Sequence, residues 1–138
     1  MIRYDDQILA SEYNSLRKSV GFNELREEQA ERGLRHTDYI VVAKDEEKVV
    51  GMARILFDFG YVAYITDVIV HPKYQGQGIG KNMMCKVLKF LEDNSVDGEY
   101  MMYALTAAKG KEGFYKKFGF IERPNENQGA GMTKHISC

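Results

Sequence analysis

Apolar residues first recur at helical spacing, at Ile8, Leu9, Tyr13, Leu16 and Val20, and this stripe predicts a helix that ends at Gly21. Ahead of it, Ile2-Arg3-Tyr4 reads as a short edge strand. Between positions 23 and 35 the pattern thins. Asn23 is an N-cap candidate, glutamates come early and apolar anchors are few, so a short and mostly solvated second helix is expected. The period then changes. Tyr39 to Ala43 and Val49 to Phe57 are rich in β-branched and aromatic residues, and the charged run Lys44-Asp45-Glu46-Glu47-Lys48 between them makes an antiparallel hairpin. Asp58-Phe59-Gly60 turns the chain again into a long strand from Tyr61 to Val70. Its exit at His71-Pro72 stays extended, because proline disfavours a helical residue before it.

From Ile79 the helical period returns, with Met83, Met84, Val87, Leu88 and Leu91 on one face and Lys81, Lys86 and Lys89 on the other, as far as Asn94-Ser95. Cys85 falls beside Met84 and Leu88 and reads as core. Tyr100 to Leu105 is a further strand, and Lys111 to Phe118 is a short helix closed by Gly119. Phe120-Ile121 and Met132 to Ile136 are candidates for a terminal strand pair. An antiparallel meander followed by a helix and a strand parallel to what came before describes an α+β fold. It has a mixed, mostly antiparallel central sheet flanked by helices, in one domain over residues 1–138.

Composition narrows the function classes. The chain has 138 residues, 44% of them hydrophobic, and a formal net charge of −1, which lacks the positive field that nucleic acids or anionic membranes attract. A small-molecule partner is favoured, with neither nucleic acid nor membrane. No apolar run approaches the roughly 20 residues of a membrane span. Met1 to Ala10 has no apolar signal core, and with two cysteines the expected compartment is the reducing cytoplasm.

The chemistry concentrates in Gln75-Gly76-Gln77-Gly78-Ile79-Gly80-Lys81. Glycines at 76, 78 and 80, between a strand and a helix, let backbone approach a ligand and aim amides at it; the helix dipole and Lys81 add positive charge. Such a loop suits phosphate. It is not a Walker loop, which has four residues between its glycines followed by Lys-Ser/Thr, because here the gap from Gly76 to Gly80 is three residues and Lys81 precedes Asn82. Nor is it a dinucleotide fingerprint, which opens a first βα unit with G-x-G-x-x-G.

The stretch Asp67-Val68-Ile69-Val70-His71-Pro72-Lys73-Tyr74, continuing through the glycine loop to Lys81, resembles the signature of the GNAT N-acetyltransferase superfamily, Q/R-x-x-G-x-G/A after a V-x-V-x-P strand. A second family-like piece, Gly113-Phe114-Tyr115-Lys116-Lys117-Phe118-Gly119-Phe120, lies downstream in order. Gly51-Met52-Ala53-Arg54, with Asp67-Val68 and the loop, is similar to the branch that includes plant chloroplast serotonin acetyltransferase-like proteins. The resemblance implies acetyl-CoA as co-substrate. Backbone of Val68 and Val70 would hold the acetyl-pantetheine arm as an added strand, amides from Gln75 to Lys81 the pyrophosphate, and Tyr115 would lie near the sulfur as general acid. Ala107-Ala108-Lys109-Gly110 departs from the family by lacking the asparagine that many relatives place near the arm.

Acyl transfer to an amine needs a proton removed from the amine, a polarised carbonyl and a proton for the departing thiolate. The Val70 amide and the Tyr115 hydroxyl take the last two roles by resemblance. For the amine, strand alternation puts Asp67 with Ala63, Ile65 and Ile69 on an otherwise apolar face; burial would raise its pKa and a bound ammonium would lower it. Tyr64 and His71 are the alternatives. His36 and His135 have no metal-like companions, so no metal is expected. The leading expectation is direct acetylation of a primary amine on a small molecule such as an amino acid, polyamine or arylalkylamine. Protein or peptide acetylation and a non-catalytic acyl-CoA sensor are the other readings. The sheet edge and terminal strand pair leave room for a homodimer.

Overall fold

In a computed structural model that describes residues 1–138, the elements run β1 (Ile2–Asp5), α1 (Ala10–Ser19), α2 (Glu27–Arg35), β2 (Tyr39–Asp45), β3 (Lys48–Phe57), β4 (Val62–Val70), α3 (Ile79–Asp93), β5 (Met102–Leu105) and α4 (Glu112–Lys116). The chain clusters into two compact units, Met1–Ala104 and Leu105–Cys138.

In the first unit the sheet order is β1-β2-β3-β4-β5, and β1 to β4 pair antiparallel. β5 sets off beside the start of β4, where the Met102 N–H donates to the Tyr61 carbonyl at 2.7 Å, so these neighbours run the same way. The α3 crossover allows it. The mixed, mostly antiparallel sheet is as the sequence predicts.

Each face of the sheet buries one helical layer. On β3, Met52 faces α1 and α2 in a cluster with Ala10, Tyr13, Leu16, Ala30 and Ile69. Gly51 faces α3 so closely that a Cβ there would come within 3.3 Å of Ile79 and Met83. On α3 the buried residues Met83, Met84, Val87 and Leu91 form the stripe that meets the sheet, each worth roughly 1.5–3 kcal/mol of transfer free energy. Cys85 is exposed rather than core: it stands four residues from both Lys81 and Lys89, on the solvated side of the helix.

Some boundaries differ from expectation. α2 starts at Glu27 after Arg26, not at Asn23, because residues ahead of it are tied to α1. The Asn14 amide brackets Leu25, accepting from its N–H at 3.0 Å and donating to its carbonyl at 2.8 Å, and Arg17 Nε donates to the Asn23 carbonyl at 2.7 Å. The β2–β3 turn is shorter than the charged run suggests: pairing continues to Asp45 and Lys48, leaving Glu46-Glu47 with Glu46 at φ +53°.

The second unit contains α4, ended by Gly119 at φ +91°, and an aromatic cluster in which Tyr115 meets Phe114 at 5.0 Å and Phe120 at 6.2 Å. The expected terminal strand pair does not form. Ile121, Met132 and Ile136 are all exposed, so no buried face fixes a register there.

Candidate functional site

After β4, a single 3₁₀ turn over Pro72–Tyr74 leads into the glycine loop. Gly76 and Gly78 sit at φ +81° and +82°, where a side chain would be strained, and a Cβ on either would meet nothing within 4 Å. The glycines are therefore required by backbone conformation, and open space lies beyond them. Gly78 caps α3 without a side chain, and the first intrahelical bond is Asn82 N–H to the Gly78 carbonyl at 3.0 Å. The amides of Ile79, Gly80 and Lys81 are thus the orphan donors of a helix N-terminus, next to exposed Gln75, Gln77 and Lys81. This arrangement fits a pyrophosphate.

The approach to the loop is fastened at several points. β3 carries an extra residue at Val50, between the pairs Lys44↔Val49 and Ala43↔Gly51, and the Val50 carbonyl accepts the His71 N–H at 2.8 Å. Tyr74 donates its hydroxyl to Asp45 at 2.6 Å, tying the turn to the β2–β3 hairpin. Gln75 donates its side-chain amide to the Val70 carbonyl at 2.9 Å. That bond takes one of the two acceptor positions of the carbonyl. Because His71 N–H points to β3, strand alternation turns Val70 N–H to the opposite edge. β5 starts opposite Tyr61 and runs for only 4 residues, so β4 has no strand partner on that edge at Val68 and Val70.

Between the pairs Arg54↔Thr66 and Met52↔Ile69, the two residues Asp67 and Val68 oppose the single residue Ala53. This is a β-bulge, with Asp67 at φ +51°, and it reverses the phase of the strand. Ile65, paired with Ile55, belongs to the α3 side, whereas Ile69, paired with Met52, belongs to the α1 side. Asp67 therefore does not share an apolar face with Ala63 and Ile65, as unbroken alternation predicts. Its carboxylate accepts from Tyr13 Oη at 2.5 Å, Arg17 Nη1 at 2.9 Å and Arg54 Nε at 2.8 Å. A carboxylate held by two guanidiniums and a phenol is an anchor for α1, β3 and the bulge, not a free base. Arg54 extends the anchor to the end of α2 through Thr37 Oγ1 at 2.9 Å.

The sequence model of the acetyltransferase (GNAT) family matches residues 6–120. The chain belongs to this family. It is 33% identical over 122 residues to an uncharacterized N-acetyltransferase, ycf52, of Porphyra purpurea, covering 86% of this chain and 68% of that one. It is 35% identical over 86 residues to GCN5-related N-acetyltransferase 2, chloroplastic, of Arabidopsis thaliana, covering 62% of this chain and 32% of that one. The chain spans 50% of a second ycf52 protein, from Pyropia yezoensis. Among solved structures, a probable acetyltransferase of Staphylococcus aureus, SA2161, superposes with a TM-score of 0.88 at 30% identity, over 99% of this chain and 100% of that one. The enzyme class, N-acetyltransferase, follows from the family.

Within this GNAT chain the remaining expected residues take distinct positions. Tyr115 is buried in the aromatic cluster of the second unit, and burial pushes its phenol up to about 12. His71 accepts the Lys73 N–H on Nδ1 at 3.1 Å, so its proton resides on Nε2. Burial, then Lys48 and Lys73, lowers its pKa. Tyr64 lies half-exposed on β4 opposite Leu56. A groove of 330 Å³ runs between Ser11 and Ser15 of α1 and Lys48 of β3, reaching His71 but not the glycine loop. No group of three or more His, Cys, Asp or Glu side chains is placed to hold a metal, and no helix is long and apolar enough to cross a membrane.

Sequence reasoning missed Tyr13, Arg17, Arg54, Tyr74 and the Val50 bulge. For two of them a signal was present: Arg17 adjoins the apolar stripe of α1, and Arg54 interrupts the apolar run of β3.

Proposed function

We propose that this chain is an acetyl-CoA-dependent N-acetyltransferase that moves the acetyl group directly to a primary amine of a small molecule. The observation that carries this reading is the pairing of two features on one continuous segment. Val68 and Val70 face a strand edge without a partner, and six and eight residues after Val70, Gly76 and Gly78 open the N-terminus of α3. An extended acyl-pantetheine arm pairs with such an edge through main-chain groups, and a pyrophosphate suits the amides from Gln75 to Lys81. When bound, acetyl-CoA supplies the activated acetyl carbonyl.

In this reading the Val70 amide donates to the acetyl oxygen. The amine nitrogen would form the new bond to the acetyl carbon as the carbon–sulfur bond breaks and would lose its extra proton to solvent. The family resemblance gives Tyr115 the role of protonating the departing sulfur, its phenol then being restored from solvent. A phenol with a pKa of about 12 stays protonated at neutral pH, as an acid in this role must. Asp67 acts through position, by holding the bulge that precedes Val68 on β4. Among the groups expected at the amine, His71 accepts the Lys73 N–H on Nδ1, and Tyr64 stands half-exposed on β4. The proposed setting is the cytoplasm, with the acceptor amine and a second copy of the chain as partners, and neither nucleic acid nor membrane.

The test is release of free CoA from acetyl-CoA across amines, amino acids and peptides, with calorimetry of acetyl-CoA binding alongside. Acceptor-dependent release is the expected result; no binding of acetyl-CoA removes the reading. Tyr115→Phe is expected to slow turnover by roughly 10²-fold or more, the usual worth of a positioned acid, with little change in acetyl-CoA affinity. Unchanged turnover would take the acid role away from Tyr115.

A further inference from the structure

The cluster around Asp67 is unbalanced in charge. Arg17 and Arg54 bring two guanidiniums, with side chains 15% and 14% exposed, to one carboxylate that is 7% exposed. The third partner, Tyr13, adds no charge, since burial and then the hydrogen bond to Asp67 raise its pKa. The exposed acidic residues Glu24, Glu27, Glu28 and Glu31 of the adjoining segment and α2 pair with neither guanidinium. One positive charge in excess therefore remains in a largely desolvated place, where an added anion is favoured and an added cation is not.

Arg54 spends Nε on Asp67 and Nη1 on Thr37 and the Gly33 carbonyl, and its Nη2 has no protein acceptor; what sets Arg17 apart is the exposed ring of Phe22 beside it. Arg17 spends Nε on the Asn23 carbonyl and Nη1 on Asp67, while its Nη2 likewise has no protein acceptor. No buried side-chain nitrogen in the molecule lacks a partner, so Nη2 reaches the surface. The guanidinium plane is steadied by the rings of Tyr13 and Phe22, at 5.6 and 5.7 Å, and Phe22 is itself exposed. The Nη1 of Arg17 bonds Asp67, the residue that precedes Val68 on β4.

We propose that Arg17 receives a carboxylate carried by the acceptor, so that the acceptor is an amino acid or another amine bearing a carboxylate, not a purely cationic amine. This rests on the acetyltransferase reading above. A planar carboxylate matches the guanidinium fork, whereas polyamines and arylalkylamines bring only positive charge to a site that already has an excess. Phe22, at the rim, offers apolar contact to the rest of the acceptor.

The experiment uses matched acceptors, each amino acid beside the amine obtained by removing its carboxyl group, with CoA release read as kcat/KM. The full chain is expected to favour the amino acid by roughly tenfold to a hundredfold, the usual worth of a charge-assisted hydrogen bond. In Arg17→Gln the ratio within each pair should fall toward one. Because a ratio within one preparation is read, partial loss of folded protein cancels. Equal or better use of the decarboxylated amines by the full chain overturns the proposal and leaves the acetyltransferase reading standing. Absence of both acetyl-CoA binding and CoA release would instead overturn that reading. In that case a titration decides for Arg17, with its Nε–Hε resonance followed against an amino acid and against its decarboxylated amine. A saturable shift with the amino acid alone supports carboxylate recognition, and no shift with either removes it.

Discussion

Two aspartates in this molecule each stand between two basic side chains, and they do different things. Asp67 in β4 pairs with Arg17 and Arg54 at 2.9 and 2.8 Å, and its side chain is 7% exposed. Asp5 at the end of β1 pairs with Arg3 and Lys44 at 2.6 and 3.0 Å and is 27% exposed. The chemistry is nearly the same, but the surroundings are not. The partners of Asp67 come from α1 and β3, joining elements that pack from different directions onto one strand. Arg3 lies two residues from Asp5, and Lys44 sits on the neighbouring strand β2, so the second cluster ties together pieces the sheet already holds. Water screens the Asp5 pairs and competes for them. Around Asp67 little water is present, so each partner depends on the others.

The largest test of this contrast is Asp67→Ala, which leaves two poorly exposed guanidiniums without their carboxylate. Removing one side of a buried ion pair costs about 3–5 kcal/mol, and urea unfolding should show a loss of that size. Asp67→Asn keeps a residue tolerant of the left-handed backbone while removing the charge, and so separates the electrostatic part from the strain at φ +51°. A loss below about 1 kcal/mol in both variants would place Asp67 in the same class as a surface pair.

Tyr13→Phe is the intermediate case. The ring stays against Arg17 and Arg54, and only the hydroxyl that donates to Asp67 is lost. A hydrogen bond to a charged acceptor is worth about 1.5–3 kcal/mol, so unfolding should move by that amount. Combined with Asp67→Ala, the two changes should fall short of additive, because each removes the same contact. Full additivity would mean that the phenol and the carboxylate act independently.

This contrast also shows where the sequence was legible. The order of strands, the two helical layers and the glycine loop all follow from local period and turn chemistry, and these survive in the structure because each is decided within about ten residues. The phase of β4 is decided elsewhere. One inserted residue at Asp67–Val68 moves every later side chain to the other face, and nothing in Thr66-Asp67-Val68-Ile69 announces the insertion. Asp67 was conspicuous as a lone carboxylate in a strand, yet its partners lie 50, 13 and 54 positions away in the chain, at Arg17, Arg54 and Tyr13. The start of α2 was misread for a related reason. Asn23 has the composition of a cap, but its carbonyl is taken by Arg17 and helix formation waits until Glu27. Cys85 was misplaced by adjacency alone, since the lysines four residues to either side mark the solvated face.

The smallest effect belongs to Asp5. Burial pushes its carboxyl pKa up, but the Gln7 backbone N–H and the side chains of Lys44 and Arg3 outweigh this, and the net shift is downward. A carboxyl whose folded pKa lies below the unfolded value of about 3.9 adds stability that is fully present above that value. The contribution is lost as pH falls through the folded pKa. The difference in stability between the wild-type chain and Asp5→Asn should therefore be flat from neutral pH to about pH 5, then shrink on further acidification. Its size at neutral pH should be about 0–1 kcal/mol, and it should fall further in high salt, as expected for screened pairs. Thermal unfolding of both proteins across this pH range, at low and high salt, measures the difference directly. A salt-insensitive gap as large as that of Asp67→Ala would show that exposure does not separate the two aspartates, and the contrast between them would have to be sought in the elements they join.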